Sequence, residues 1–366
     1  MRERLAIGCM SGTSVDGLDL ALVRAHGTGL DIEVELVETL ALPLGELGPE
    51  LFAFARGAAL TAQQCASLAR RFGALHGEGC VRLAQGRLIA LIAVHGQTVA
   101  HAPPDSWQLV NPWVIAQRTG APVVFDLRGA DLAAGGEGAP ITPLADLVVF
   151  GDAERSRAIV NLGGFANATL LPRVTTRAAA MHEVRGADVV PCNHWLDGLA
   201  RALLGAPFDA HGERAARGTP QMEVVARFAA ELAAIRSNAR SMGSAHEQPR
   251  LRELAAGASA DDALASAVDA VARALAETVH GCDEVLLAGG SIRNAALLRA
   301  LERHCSAPVF TTAHAGVDPL WREALEMAVL GLLSQDGVPI TLPAVTGALR
   351  APLAGAWCTP TGARPR

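Results

Sequence analysis

The sequence predicts an α/β protein of two related lobes, and three observations carry that prediction. A strand, a glycine-containing turn and a second strand open the first half (Leu5–Cys9, Leu18–Arg24) and recur in the second (Arg157–Asn161, Phe165–Leu171). Short, continuously apolar runs end in polar loops, as buried strands of an open sheet do. Stretches with helical spacing lie between them. At 366 residues the chain has room for about two domains. Open α/β sheets bind ligands at the carboxyl ends of their strands, so the polar loops are expected to meet in a cleft between the lobes.

Taken in order, Glu33–Leu40 reads as a third strand, and apolar residues at Leu68, Phe72, Leu75 and Val81 predict a helix over about Thr61–Leu83. Leu88–Val94 is a buried strand ending in His95-Gly96-Gln97-Thr98; Ala121–Phe125 is another, and Asp126 begins a loop rich in Gly and Asp. In the second half, helical stretches cover about Asn193–Leu204, Pro220–Ile235 and Asp261–Val279. Glu284–Leu287 reads as a strand, Gly289-Gly290 as a turn, and Asn294–His304 and Trp321–Leu333 as helices. The tail, with prolines at 343, 352 and 360, reads as loop, and Ser237–Gln248 has no clear period. The expected lobes are 1–130, with the tail 340–366 as a candidate completion, and 131–339.

Composition removes whole classes of function. Half the residues are hydrophobic and 19% are charged, which suits a packed core and excludes disorder of the whole chain. All 31 basic residues are arginine. Without lysine there is no Walker-A loop, no protein-kinase ATP lysine and no Schiff base. The net charge is −6 and no long basic run occurs, so neither nucleic acid nor an anionic membrane is an expected partner. Seven scattered cysteines with no CxxC pair argue against a disulfide framework or zinc site. The first residues are too short an apolar run for a signal peptide, and no stretch approaches the ~18 residues of a membrane span. A soluble cytoplasmic protein is expected.

Several constellations could carry chemistry. In Gly8-Cys9-Met10-Ser11-Gly12-Thr13-Ser14-Val15-Asp16-Gly17-Leu18-Asp19, glycines allow positive φ and close backbone approach, and hydroxyls add donors. Such a nest suits phosphate oxygens without a lysine. Asp16 and Asp19 could hold a hydrated Mg²⁺; a decorated β-turn is the plain alternative. Asn161-Leu162-Gly163-Gly164 is a second turn of this kind, though Gly-Gly also serves ordinary hairpins. Gly289-Gly290 with Asn294 would suit a nucleoside or its phosphates at a helix start, or be a simple connection. His95 and Gln97 sit at a strand end. Asp126, Arg128 and Asp131 lie in a loop with Glu137 and four glycines, where Arg128 could grip a carboxylate at two points or join internal ion pairs. Asp188 precedes an expected helix, where most aspartates are caps. Glu323 and Glu326 share one helix face, usually a wet one.

Together these segments resemble the anhydro-N-acetylmuramic acid kinase family. The likeness begins at Met10–Asp19 and runs through His95–Thr98, Asp126–Pro140, Asn161–Thr169, Phe208-Asp209 with Gly212 and Gly218, Gly289-Gly290 with Arg293-Asn294, Glu323-Ala324 and Pro343–Ala348. The resemblance implies two ribonuclease-H-like lobes with mixed sheets flanked by helices and an active site in the interlobe cleft. It implies ATP-dependent hydrolytic opening and 6-phosphorylation of 1,6-anhydro-N-acetylmuramic acid, in peptidoglycan recycling. Asp188 falls on the family's base. ATP contacts would come from Gly12, Thr13, Ser14, Val15, Asp16, Gly17, Leu18, Asp19, Asn161, Gly163, Gly164, Gly289, Gly290 and Asn294. Sugar contacts would come from His95, Gln97, Asp126, Arg128 and Glu323, with Mg²⁺ on Asp16 and Asp19. The partners implied are ATP and the anhydro amino sugar, with a homodimer left open.

The chain departs from the family pattern in places. Val189-Val190 replace Thr-Gly after the base, Cys192 replaces a glycine, and Arg240–Ala245 keeps little of a Lys-Ser-Thr-Gly-Arg-Glu segment. Two other readings therefore stay open: a kinase for another anhydrosugar, and a catalytically weak ATP- or sugar-binding homologue.

Overall fold

The computed structural model describes residues 3–12, 15, 17–236 and 250–360. Thr13, Ser14, Asp16 and the stretch containing Arg240–Ala245 lie outside the described residues. The chain divides into two compact units: Met1–Phe150 with Thr176–Val184 and Trp321–Arg366, and Gly151–Thr175 with Arg185–Leu320.

The first unit contains β1 (Arg4–Met10), β2 (Leu18–His26), β3 (Glu33–Leu42), β4 (Leu91–Val94), β5 (Gln97–Ala102), β6 (Asp105–Leu109) and β7 (Val123–Phe125). The second contains β8 (Arg157–Leu162), β9 (Phe165–Leu171), β10 (Arg185–Pro191), β11 (Glu284–Ala288) and β12 (Val309–Thr311); β13 (Ala356–Cys358) returns to the first. The first sheet has the order β13-β7-β4-β1-β2-β3, and the second β10-β9-β8-β11-β12. Each is built on one plan: three strands in an antiparallel meander, then two more strands added parallel on the far side of the first. This is the ribonuclease-H-like arrangement, present twice. β5 and β6 form a separate hairpin.

Apolar alternation explains which faces are covered. Ile7, Cys9, Leu18, Leu20 and Leu22 meet the helix Ala62–Ala84, whose first turn is closed by a reciprocal Thr61–Gln64 capping box. The opposite face packs against the helix Arg322–Gln335. That helix approaches so closely that a Cβ at Gly8 would lie 1.9 Å from the Ala324 carbonyl oxygen. In the second unit, Ala158, Val160, Leu162 and Val190 face the helices Asn193–Leu204, Met222–Arg236 and Ala260–Thr278.

Several expectations are corrected. The break expected after residue 130 falls after Phe150, and Trp321–Leu333 belongs with the first unit. The reason is packing: Arg322 on that helix is buried against Asp146 of the helix Pro143–Phe150. The tail is not all loop; it holds the helix Pro343–Thr346 and β13, paired with β7. Leu88 is exposed, because pairing with β1 starts only at Leu91. Asp188 does not precede a helix directly but lies within β10, whose interrupted apolar pattern hides it. Glu326 is not on a wet face; it is fully buried beside Arg322.

Candidate active site

In the first unit the residues after β1 and β4 are joined by hydrogen bonds. Ser11, buried, donates from Oγ to Gln97 Oε1 (2.8 Å), and Gln97 Nε2 donates to the Gly12 carbonyl (3.2 Å). The positive φ of the opening turn falls on Val15 (55°), whereas Gly12 and Gly17 have no left-handed φ. A β-branched residue in that region carries backbone strain, which concentrates at functional sites. The side chains of Val15 and Leu18 belong to the core, so only their backbone can serve a ligand. Asp19 stands at the start of β2, opposite Met10 and half-buried.

His95 ends the β4 segment. Arg128 reaches its Nε2 through both Nε (3.2 Å) and Nη2 (2.8 Å). A guanidinium only donates, so Nε2 must accept, and Nδ1–H donates to the Gly96 carbonyl at 2.9 Å. Burial, reinforced by the Arg128 charge, pushes the His95 pKa down to about 3. The imidazole is therefore neutral and of one tautomer. Nη1 of Arg128 also donates to the Gly138 carbonyl (2.6 Å), which fixes the guanidinium plane. His101, on β5 and bonded through Nδ1 to Ser106 Oγ (2.9 Å), is lowered to about 4 by burial and by Arg128.

The loop after β7 is ordered rather than merely solvated. Asp126 takes φ 49°, which aspartate tolerates, and its Oδ1 accepts from Gly129 N (3.0 Å). Asp131 is buried and accepts from Gly138 N (2.9 Å) and Thr346 Oγ1 (2.8 Å). Glu323 lies half-buried in the first turn of the helix Arg322–Gln335.

In the second unit the strand register gathers a polar row. Asp188 on β10 is opposite Asn167 on β9, Asn167 is opposite Asn161 on β8, and Asn161 is opposite Ala288 on β11. These residues occupy the face opposite the helix-covered core, because their neighbours Val160, Leu162, Ala166 and Val190 point into it. A β-bulge between Asp188 and Val190 leaves Val189 out of register. Bulges re-aim side chains and are common beside active sites.

Both glycine turns border this row. The carbonyls of Gly163 and Gly164 accept from the backbone N–H groups of Asn193, Cys192 and His194 at 2.9–3.1 Å, so the turn caps the helix that follows β10. A Cβ at Gly164 would lie 2.6 Å from His194 Nε2, so any larger residue there would have to displace that imidazole. Gly289 has φ 86°, and a Cβ would lie 2.6 Å from Asn161 Oδ1 and 2.8 Å from the Leu162 carbonyl oxygen. Ser291 Oγ donates to Asn193 Oδ1 (2.6 Å), linking the second turn to the end of the Asp188 strand. Asn294 caps the helix Ala295–His304 through Leu297 N (3.1 Å).

A family model described as Anhydro-N-acetylmuramic acid kinase matches residues 4–360. The chain belongs to the anhydro-N-acetylmuramic acid kinase family. Relatives carrying that name include those of Gloeobacter violaceus (35% identical, covering 96% of this chain and 97% of the relative) and Salinibacter ruber (35%, covering 96% and 95%). Likeness to solved structures is weak. The activator of 2-hydroxyisocaproyl-CoA dehydratase from Clostridium difficile is 14% identical, covers 90% of this chain and 94% of its own, and has a TM-score of 0.43. A ROK family glucokinase from Streptomyces griseus is 15% identical, covers 89% and 98%, and has a TM-score of 0.41.

For a family member, the departures on β10 and just after it are mild. Neither valine nor Cys192 has a positive φ, so no glycine-like backbone is demanded where the side chains have changed. Val189, Val190 and Cys192 all join the apolar core instead. Sequence reasoning did not single out His101 or Ser106, and it carried Asn167 and Ser291 only within the glycine-turn segments and Asn193 only as a helix start. No described helix is long and apolar enough to cross a membrane.

Proposed function

We propose that this chain opens 1,6-anhydro-N-acetylmuramic acid with water while transferring the γ-phosphoryl group of ATP to the sugar's O6, giving N-acetylmuramic acid 6-phosphate and ADP. Family membership along residues 4–360 supports this activity and its place in cell-wall sugar recycling. The polar row Asp188–Asn167–Asn161, bordered by two glycine turns, carries the assignment of roles.

Asp188 takes one proton from water as the water oxygen bonds to the anomeric carbon. The bond from that carbon to O6 breaks, and O6 takes the phosphoryl group. The second water proton stays on the new anomeric hydroxyl. Arg128, held in plane by His95 and Gly138, grips the lactyl carboxylate. Neutral His95, Gln97, Asp126 and Glu323 complete the sugar contacts. Backbone donors of residues 12–19 and of the Gly163-Gly164 and Gly289-Gly290 turns, with Asn161 and Asn294 among them, hold ATP without a lysine.

Mg²⁺ takes one or two carboxylates and otherwise keeps water and phosphate oxygens. Asp19 at the rim of the opening turn fits that demand, with Asp16 as the second candidate; the ion would neutralise phosphate charge. A cytoplasmic setting accords with this substrate and with ATP.

The test is an ADP-release assay on 1,6-anhydro-N-acetylmuramic acid beside 1,6-anhydro-N-acetylglucosamine, which lacks the lactyl group. Turnover of the first only, and a raised KM in Arg128→Ala, are expected. Equal turnover of both sugars, unchanged by Arg128→Ala, would remove the carboxylate role.

A further inference from the structure

The second unit holds a cavity of about 430 Å³ between the helices Glu213–Arg217, Ala260–Thr278 and Ala295–His304, with Arg273, Arg299, Arg303 and His304 in its wall. None of these residues belongs to the glycine turns or the polar row. Among the described residues of the wall the one carboxylate is Asp269, almost wholly buried and working as an organiser. Its Oδ2 accepts from Arg273 Nε (2.6 Å), and its Oδ1 from His304 Nε2 (2.7 Å), with Arg303 at 3.8 Å. Burial pushes this carboxyl up, but the bonds from Arg273 and His304 outweigh it and hold it below its ordinary value. Asp269 thus stays charged and gathers cations that it cannot neutralise. Arg299 makes no hydrogen bond or ion pair among the described residues. Among the described residues, three arginines and one carboxylate line the cavity together with Val268, Ala265 and Ala296.

We propose that this cavity is a second anion site, which takes a multiply charged phosphate and is separate from the nucleotide turns. The planar forks of Arg299 and Arg303 suit paired phosphate oxygens, and the volume suits a small organic phosphate rather than a lone halide. The helix Ala295–His304 connects the two regions, since Asn294 caps its start and Arg299, Arg303 and His304 line the cavity further along. An occupant therefore has a rigid route to the Gly289-Gly290 turn.

The test is isothermal titration of the full chain, with ADP saturating the nucleotide site, using inorganic phosphate, pyrophosphate and N-acetylmuramic acid 6-phosphate as probes. The wild type is expected to bind at least one probe. The exposed double variant Arg299→Ala/Arg303→Ala should bind it about tenfold or more weakly, as loss of two charge-assisted contacts requires. Arg350→Ala, outside the cavity, should leave it unchanged. Tighter binding of pyrophosphate that the double variant loses assigns the site to free polyphosphates, and tighter binding of the sugar ester that the double variant loses assigns it to the reaction's own product, since binding of the ester at the catalytic site would survive in that variant. If no probe binds beside ADP, or if the double variant binds as well as wild type, the proposal is overturned.

Discussion

Asp188, Gly289 and Glu326 show how single positions are constrained. At Gly289 an added methyl would meet a left-handed φ, the Asn161 side-chain oxygen at 2.6 Å and, at 2.8 Å, the Leu162 backbone, which cannot swing aside as a side chain can. Gly289→Ala should therefore raise the KM for ATP at least about tenfold while the protein still folds, measured by steady-state kinetics and circular dichroism. Glu326 and Asp146 flank Arg322, and all three are buried. Burial pushes the Glu326 carboxyl well above its ordinary value, with Asp146 adding to the rise against the pull of Arg322. The stable charge pair is Arg322–Asp146. Glu326→Gln, which mimics the neutral acid, should cost little, whereas Asp146→Asn should cost about 3–5 kcal/mol because it strands a buried cation. Denaturant unfolding compares them, and equal losses would contradict this division. Asp188 enters as the proposed base through resemblance alone, since an isolated aspartate among small residues carries no physical signal of catalysis.

At the scale of elements, long helices were legible because caps and apolar spacing agree, as with Thr61–Gln64 at one helix start and Ser259 accepting from Asp262 N at another. The β5–β6 hairpin and β10 were not. Gln97–Ala102 alternates weakly, and Gly186-Ala187-Asp188 interrupts the apolar run of its strand. In each case pairing with a neighbour supplies the order that local propensity lacks. The opening turn shows a related limit. Its glycines suggested positive φ, but the structure places that strain on Val15. The need for Gly8 comes from the helix Arg322–Gln335, far away in sequence. Gly8→Ala should force that helix off β1 and cost about 1–3 kcal/mol or more, read as a lower denaturation midpoint. An unchanged midpoint would mean that the helix does not pack as closely as described.

At the scale of the whole molecule, one strand plan used twice explains why the sequence halves share a grammar, and why the domain boundary could not be placed from it. Boundaries follow packing, and the helix Arg322–Gln335 packs with strands three hundred residues earlier. The titrating groups set a global pH response. Burial lowers His76 to about 4, and His95 and His101 lie at about 3 and 4, against an ordinary 6.5. Their folded pKa values are depressed, so the unfolded chain binds more protons below pH 6.5 and stability must fall as pH drops from there toward 4. Glu326, raised, acts oppositely: its contribution is lost as pH rises above the ordinary carboxylate range. His76→Leu, away from the site, should flatten the acid slope of the thermal midpoint, and an unaltered slope would exclude His76 from it.

The central claim is that Asp188 on β10 is the base of an anhydrosugar kinase. The direct measurement is kcat for ADP release with ATP, Mg²⁺ and 1,6-anhydro-N-acetylmuramic acid, for wild type and Asp188→Asn, alongside the ATP affinity of each. The account predicts turnover by wild type, a loss of roughly a hundred- to ten-thousandfold in the variant, and equal ATP binding by both. A variant that turns over at the wild-type rate, or a wild type that binds ATP and leaves the sugar intact, would contradict it.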